Sequence, residues 1–217
     1  MFPIKSAMGG QQQAVLSEGE IASRLQAGSA AVMPTDTLPA LVALPAHAAQ
    51  IWRLKQRPAE KPLILMASAL EPLVQLAAIE ARADLAHLAQ QHWPGALTLV
   101  VPVAPDSPAQ AILQSLHPGA STLGLRLPAC VQARDLMAHT GPLATTSANP
   151  SGCPAALNPT QAQTYFPDLP LLGPVPWPSP QAQASTVVAW VAPGQWRILR
   201  EGAVMPDGVV TQTPCSG

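Results

Sequence analysis

Short apolar runs alternate with segments of helical spacing along most of this chain, and this alternation constrains the fold more than any other feature. The run at residues 30–33 is typical, because it is brief and uninterrupted, as expected of a buried strand in a parallel sheet. Further strands are predicted at 41–44, 62–66, 97–103, 122–127, 142–146, 186–191 and 196–200. The sequence therefore predicts an α/β fold, with a mostly parallel or mixed sheet and flanking helices.

Helices are predicted between the strands, where apolar residues recur every three or four positions. The first begins with the capping-box pair Ser17 and Glu20, and Gly28 is placed to end it. The others are predicted at 46–56, 70–78, 82–91, 131–138 and 160–165, and a polar loop leads from 103 to the strand at 122. Because no change in composition divides the chain, we expect a single domain over residues 1–217, with the motif-bearing core at about 14–202.

Composition excludes several classes of protein. Charged residues make up 11% and hydrophobic residues 48% of the chain, which is a globular rather than a disordered composition. The formal net charge of −1 gives no overall positive field for nucleic acid. No apolar run approaches the length of about 20 residues that a membrane helix needs, and residues 1–10 form no hydrophobic signal region, so we expect no membrane contact and a cytoplasmic location. Three widely spaced cysteines favour reduced thiols over a disulfide framework or a zinc site, and no metal site is predicted.

Polar side chains gather at the ends of three predicted strands. They belong to the stretches Thr35-Asp36-Thr37, Ser147-Ala148-Asn149 and Ser185-Thr186. Open α/β sheets bind their ligands beyond the carboxyl ends of strands, so the first two stretches are candidate binding loops. The alternative is that they are ordinary turns, in which Asp36 caps nearby backbone N–H groups and Asn149 belongs to an Asn-Pro turn.

The few basic residues are the second component of a candidate site. Lys55, Arg57 and Lys61 follow one predicted helix, Arg126 lies in a strand and Arg200 ends another. Hydroxyls, amides and several fixed cations suit a polyphosphate, and arginine adds a bidentate geometry that lysine lacks. Two alternatives stay open: the cations after the helix complement its dipole, at about 0.3–1 kcal/mol, or Arg126 points to solvent. The sequence contains neither a G-x-x-x-x-G-K-[ST] loop nor a G-x-G-x-x-G motif after a strand.

Seven short motifs, taken in order, make the chain similar to the YrdC family over about residues 21–202. They are Pro34-Thr35-Asp36-Thr37; Lys55-x-Arg57-Pro58 with Pro62-Leu63; Trp93-Pro94-Gly95 with Leu97-Thr98; Leu125-Arg126-Leu127-Pro128; Thr146-Ser147-Ala148-Asn149 with Ser151-Gly152; Ser185-Thr186-Val187-Val188; and Ile198-Leu199-Arg200-Glu201-Gly202. The resemblance implies a twisted sheet around a concave, basic cavity, in the short form of the family without an extra C-terminal domain.

The implied activity is that of a threonylcarbamoyl-AMP synthase. Such an enzyme condenses L-threonine, bicarbonate and ATP, with magnesium, to threonylcarbamoyl-adenylate and pyrophosphate. The implied partners are a downstream threonylcarbamoyl transferase complex and the tRNA that receives the modification. Catalysis by positioning and charge neutralisation would suffice for such an attack on phosphorus.

The resemblance also assigns roles to individual positions. Thr35, Arg126 and Ser185 are expected to bind threonine, with Arg126 on its carboxylate. The residues expected to bind ATP or its phosphates are Lys55, Arg57, Lys61, Thr122, Ser147, Asn149 and Arg200.

One segment departs from the family pattern. The motif Pro-Thr-(Asp/Glu)-Thr is usually followed by Val-Tyr-Gly-Leu, whereas this chain has Leu38-Pro39-Ala40-Leu41. A relative with a changed amino acid preference, or one that binds without turnover, would fit this departure.

The alternative function is a non-catalytic module that binds tRNA or double-stranded RNA through a concave basic face. A third interpretation, a carbamoyl-adenylate domain of the hydrogenase-maturation type, ranks last because that role requires further domains.

Overall fold

The structure is a computed structural model that describes residues 15–58, 61–178 and 182–210. Its centre is a ten-stranded sheet with the strand order β1-β8-β2-β3-β7-β4-β6-β5-β9-β10. The strands are β1 (Val15–Leu16), β2 (Ala31–Met33), β3 (Ala40–Ala43), β4 (Ile64–Met66), β5 (Leu97–Pro102), β6 (Thr122–Arg126), β7 (Leu143–Ser147), β8 (Leu171–Leu172), β9 (Thr186–Ala192) and β10 (Gln195–Arg200). The predicted α/β fold is confirmed.

The sheet is mixed. Among the described residues, four strand pairings are parallel and five are antiparallel. The strand predicted at 30–33 as part of a parallel sheet has a parallel neighbour on one side only, since β2 pairs in parallel with β8 and antiparallel with β3. The sequence did not predict β1 and β8, which contain two residues each.

Seven α-helices lie in the described part of the chain. They are α1 (Glu18–Gln26), α2 (Ala49–Lys55), α3 (Leu70–Leu76), α4 (Ile79–His92), α5 (Gln110–Leu116), α6 (Val131–Thr140) and α7 (Pro159–Tyr165), with a 3-10 turn at Pro45–His47 before α2. The predicted capping box is confirmed, because the Glu20 carboxylate accepts hydrogen bonds from both the N–H and the hydroxyl of Ser17. None of these helices is long and apolar enough to cross a membrane.

The prediction of a continuous polar loop before β6 was wrong. Residues Gln110–Leu116 form α5, which buries Leu113 and Leu116 completely. These two leucines are three positions apart, so they share one face of the helix and pack into the core. Because α5 has only seven residues, about two turns, the helical spacing of its buried residues appears only once in the sequence.

The two faces of the sheet are covered differently. On one face, a large cluster includes Leu65, Leu99 and Leu125 from the central strands. On the other face, α1 and α6 pack against each other, and their residues cluster with Met33 and Val42 of β2 and β3. The part of this second face formed by β4, β5, β6 and β9 is the floor of a cavity.

Candidate functional site

The cavity has a volume of about 390 Å³, within the range of about 300–1,000 Å³ that is common for small-molecule sites. Strand register explains its floor, since side chains of alternate residues share a face. Ile64 lies opposite Gly124, and Met66 lies opposite Arg126, in the parallel pair β4–β6. Val100 lies opposite Gly124 from the other side. Gly124 therefore contributes open space at the middle of this floor.

The loop after β2 supplies the hydroxyl groups of one wall. The Thr35 hydroxyl donates to the carbonyl oxygen of Leu38 at 2.7 Å and accepts from the N–H groups of Thr37 and Leu38, both at 3.1 Å. A hydroxyl has one proton and two lone pairs, so these bonds use its whole capacity. Thr35 lines the cavity, but its hydroxyl stabilises the loop by hydrogen bonds to the backbone. This agrees with the alternative from the sequence analysis, in which the stretch is a turn.

Arg126 connects this loop to the floor. Its side chain is 3% exposed and donates to Asp36 Oδ1 at 2.9 Å, to Thr37 Oγ1 at 2.8 Å and to the carbonyl oxygen of Gly95 at 2.9 Å. Burial lowers the pKa of Arg126 and the Asp36 carboxylate opposes that change, but an arginine stays protonated in proteins. The alternative in which Arg126 points to solvent is therefore wrong.

The Trp93-Pro94-Gly95 motif holds the backbone that receives Arg126. The Trp93 indole donates to the carbonyl oxygen of Leu97 at 2.7 Å, which closes the turn in front of β5. A Cβ on Gly95 would lie 2.3 Å from the carbonyl oxygen of His92, so only glycine fits there. The motif acts through backbone geometry.

Arg57 forms the opposite wall. It donates to Thr146 Oγ1 at 3.1 Å and to the carbonyl oxygen of Pro62 at 3.2 Å, while its buried Nε has no partner among the described residues. Burial lowers its pKa, and the guanidinium keeps its charge. A cation fixed at the cavity wall suits an anionic ligand.

Lys55 does not line the cavity but supports its rim. The side chain is 2% exposed, and its ammonium donates to the carbonyl oxygens of Ser147 and Asn149, both at 2.5 Å, and to Asn149 Oδ1 at 3.2 Å. Burial and, next, the neighbouring Arg57 lower the pKa of Lys55 to about 8. At pH 7 it is still mostly an ammonium, whose three protons match the three oxygens.

Ser185 and Arg200 meet at the far side of the floor. The Ser185 hydroxyl lies 2.9 Å from Thr98 Oγ1, and Arg200 donates to the Ser185 carbonyl oxygen at 2.8 Å. A Cβ on Gly202 would lie 2.4 Å from the carbonyl oxygen of Ala184, so the chain can pass there only as glycine. This close approach explains why the Ile198–Gly202 motif accompanies the Ser185 motif.

The structure brings together most of the residues that the sequence nominated. Those that line the cavity are Thr35, Arg57, Thr122, Arg126, Ser147, Ser185 and Arg200. Lys55, Lys61 and Asn149 are outside the lining: Lys61 is exposed, and Asn149 accepts from Lys55 and from the Ser147 hydroxyl at 2.6 Å. The predicted roles of all ten residues stay predictions.

The cavity has further polar lining residues to which the sequence analysis gave no individual role, which are Thr37, Thr98, His117, Thr145 and Thr146. A hydroxyl inside an apolar strand, as at Thr98, is the one available signal, because a buried polar group needs a partner. His117 follows a helix that was not predicted, and no pattern indicated it.

Comparisons with known proteins agree on one family. The Sua5/YciO/YrdC family model, described as "Telomere recombination", matches residues 23–202. A curated threonylcarbamoyl-AMP synthase of Mus musculus is 30% identical over 194 residues, which is 85% of this chain and 66% of that protein. A putative threonylcarbamoyl-AMP synthase of Mycobacterium leprae is 35% identical over 83% of this chain and 80% of its own length.

A solved structure, P. abyssi Sua5 complexed with L-threonine, superposes with a TM-score of 0.73 at 28% identity. The match covers 85% of this chain and 54% of that one. The chain therefore spans about two thirds of the mouse relative and about half of the archaeal one.

Proposed function

The chain belongs to the Sua5/YciO/YrdC family, and from that premise we propose that it is a threonylcarbamoyl-AMP synthase. The substrates would be L-threonine, bicarbonate and ATP, and the products threonylcarbamoyl-adenylate and pyrophosphate. The observation that carries the proposal is the cavity, in which Arg57, Arg126 and Arg200 converge with the hydroxyls of Thr37 and Ser185.

Charge supports this choice of substrates. Among the described residues, no Asp or Glu lines the cavity. Asp36, which pairs with the lining residue Arg126, also accepts from the N–H of Ala129 at 3.0 Å. Three cations without lining carboxylates favour ligands with several negative charges. ATP and an amino acid carboxylate together are such a set.

We assign threonine to the Arg126 side of the cavity. Arg126 would hold the carboxylate, and Thr35 and Ser185 would shape the pocket, with Thr37 as the hydroxyl of that loop next to Arg126. ATP would extend toward Arg57, with Thr122, Ser147 and Arg200 beside it. Lys55 and Asn149 would act by ordering Ser147, and Lys61 would meet the phosphates from the exposed rim.

Magnesium fits this cavity only as part of the substrate. Mg²⁺ prefers carboxylate, phosphate and water oxygens, and the lining residues offer no carboxylate. We therefore propose that magnesium enters with ATP, held by phosphate oxygens, and assign no residue to it.

The chemical step then needs little from side chains. The threonine amine and bicarbonate first combine, with loss of water, to N-carboxy-threonine. Its carbamate oxygen then attacks the α-phosphorus, the bond to the bridging oxygen breaks, and pyrophosphate leaves with the electron pair. Fixed guanidinium groups stabilise the charge that accumulates on the phosphoryl oxygens. Transfer of the product to tRNA through a downstream transferase complex, in the cytoplasm, completes the proposal.

Release of pyrophosphate from ATP tests this function. We expect release only when L-threonine and bicarbonate are both present, with threonylcarbamoyl-adenylate detected by mass spectrometry. A parallel titration with double-stranded RNA and tRNA at two salt concentrations tests the alternative, since phosphate contacts weaken steeply with salt. RNA binding without any nucleotide binding would replace the enzyme by the RNA-binding module.

A further inference from the structure

Thr98 and Ser185 form a buried pair of hydroxyl groups in the lining of the cavity. Thr98 is 0% exposed and Ser185 is 3% exposed, and both residues line the cavity. Their oxygens lie 2.9 Å apart, because Thr98 belongs to β5 and Ser185 directly precedes β9, which pairs in parallel with β5. The fold therefore holds both hydroxyls in fixed positions beside the space for a ligand.

The pair has hydrogen-bonding capacity that the protein does not use. Two hydroxyls bring two protons and four lone pairs. One proton and one lone pair form the bond between them, and Arg200 occupies a second lone pair by donating to Ser185 Oγ at 3.3 Å. Whichever hydroxyl donates, one proton and two lone pairs are left without a partner among the described residues. A buried polar group needs a partner, so the pair points to a ligand.

This unused capacity differs from that of other polar groups in the cavity. Three lining hydroxyls have already donated their proton within the protein, namely those of Thr35, Thr145 and Ser147. The lining arginines can only donate. The pair can both donate and accept at neighbouring oxygens. A ligand hydroxyl uses both functions, whereas a carboxylate or phosphate oxygen uses only the donor.

The turn in front of β5 places the pair next to Arg126. The carbonyl oxygen of Gly95 accepts from Arg126 Nε at 2.9 Å, and the carbonyl oxygen of Ala96 accepts from the N–H of Thr186, the residue after Ser185, at 3.0 Å. The protein engages three of the five N–H groups of Arg126, which leaves two for a carboxylate. Because the two anchoring carbonyl groups are consecutive, one amino acid can contact Arg126 through its carboxylate and the pair through its side chain.

We propose that the Thr98–Ser185 pair determines which amino acid this protein uses, by donating one hydrogen bond to the side-chain hydroxyl of threonine and accepting another from it. This inference rests on the proposed function, and it gives a role to Thr98, which the family resemblance left without one. An amino acid that lacks the hydroxyl leaves the buried pair without its partner. Sites built to bind a substrate hydroxyl strongly reject such analogues.

Steady-state kinetics of pyrophosphate release, at saturating ATP and bicarbonate, test this inference with L-threonine and L-2-aminobutyrate. The second amino acid has the same carbon skeleton without the hydroxyl, so the ratio of the two kcat/KM values isolates that group. The variants are Thr98→Val, which replaces the hydroxyl by a methyl group of similar size, and Thr98→Ser, which keeps the hydroxyl. Thr164→Val is the matched control, because this threonine is exposed on α7.

We expect the wild type to favour threonine by at least about a hundredfold. Thr98→Val should reduce this preference about tenfold, since one hydrogen bond to the substrate is lost, and the loss should be confined to threonine. Thr98→Ser and Thr164→Val should keep the wild-type ratio. A purely structural role of Thr98 would instead lower both kcat/KM values equally and leave the ratio unchanged.

An unchanged ratio in Thr98→Val would overturn the inference. So would a wild type that uses both amino acids equally well, a measurement that decides the matter even if Thr98→Val does not fold. In both cases, release of pyrophosphate with threonine would still support the proposed function. If the wild type releases pyrophosphate with neither amino acid, the function fails and the inference fails with it.

Discussion

Replacing Lys55 by methionine separates folding from ligand binding in this protein. Methionine has nearly the length of lysine but no charge, so the change removes the three hydrogen bonds to Ser147 and Asn149 and preserves most of the packing. These bonds connect the end of α2 to a loop more than ninety positions along the chain. The variant therefore tests whether one buried ammonium orders the rim of the cavity.

Two opposing free energies set the size of the effect on stability. Two carbonyl oxygens lose their lysine donor, at about 1–3 kcal/mol each. Against this, burial lowers the pKa of Lys55 from 10.5 to about 8, and at about 1.4 kcal/mol per pKa unit the variant is relieved of about 3 kcal/mol. The net change in the free energy of unfolding should lie between a gain of about 1 and a loss of about 3 kcal/mol, which is less than the total of about 5–15 kcal/mol typical of native proteins.

Ligand binding should suffer more than folding. Without the Lys55 ammonium the loop keeps its backbone bonds, from Ala148 to Pro39 and from Ser151 to the Lys55 carbonyl oxygen. The Ser147 and Asn149 oxygens lose their shared donor, so the Ser147 hydroxyl, which donates to Asn149 Oδ1, should be held less firmly at the cavity. We expect ATP affinity to fall by more than tenfold. The measurements are urea unfolding and calorimetric ATP binding, with Arg53→Met on the exposed side of the same helix as the matched control.

A double-mutant cycle with Ser147→Ala decides how Lys55 acts. If it works through the loop, the losses in ATP affinity are not additive, because both changes remove the same contact. If the losses are additive, and if the loss in affinity is larger for ATP than for AMP, Lys55 contacts the phosphates directly. Wild-type ATP affinity in Lys55→Met would refute the reasoning altogether.

Three further outcomes follow from the same geometry. Arg57→Ala should weaken ATP binding by more than tenfold, since a charge-assisted hydrogen bond contributes about 1.5–3 kcal/mol. Calorimetry beside Arg53→Ala checks this, and an unchanged affinity would mean that ATP makes no contact with Arg57. Gly124→Val should abolish substrate binding with little loss of stability. The new Cβ would lie 3.6 Å from the nearest side-chain atoms, which is an ordinary contact, while the valine methyl groups would enter the cavity. Thermal unfolding and ATP binding are measured together, and unimpaired binding would mean that the ligand lies elsewhere. Raising the pH through about 8 should weaken ATP binding as Lys55 loses its proton. Between about pH 8 and pH 10.5 the free energy of unfolding should rise, because the unfolded chain there binds more protons at Lys55 than the folded one. ATP affinity measured from pH 7 to about pH 9 checks the direction of the binding effect, with Lys55→Met as the reference that lacks this titration.

The sequence predicted the elements better than their contacts. Alternation predicted Arg126 on the opposite side of a strand from Leu125 and Leu127, but that pattern fits a solvated face and a cavity floor equally well. The loop that contains Asp36 makes this face a cavity floor instead of a solvated surface, because Asp36 pairs with Arg126. That packing is a tertiary contact between residues 90 positions apart, and local spacing contains no information about it.

Lys55, Asn149 and His117 also show that local sequence does not predict tertiary contacts. Lys55 and Asn149 were nominated as phosphate ligands because cations and amides suit phosphate, yet their side chains bond to each other and to backbone. Residue type determines which partners a side chain can bind, and only the fold determines which of those partners lie within hydrogen-bonding distance. His117 shows the converse, a group with no sequence signal that the fold leaves facing the cavity.

The segment Leu38-Pro39-Ala40, where the chain departs from the family pattern, divides between two cavities. Leu38 and Ala40 line the main cavity, whereas Pro39, at the position where the pattern has tyrosine, lines a second cavity of about 180 Å³ together with Trp177. The carbonyl oxygen of Pro39 accepts from the N–H of Ala148 at 2.8 Å, so its backbone holds the neighbouring loop in place. The loss of the aromatic ring therefore changes the space behind the loop of Thr35 rather than the floor of the main cavity. Trp177 is buried and donates to the carbonyl oxygen of Leu172 at 2.7 Å, so an aromatic side chain from the proline-rich segment lines the same second cavity as Pro39.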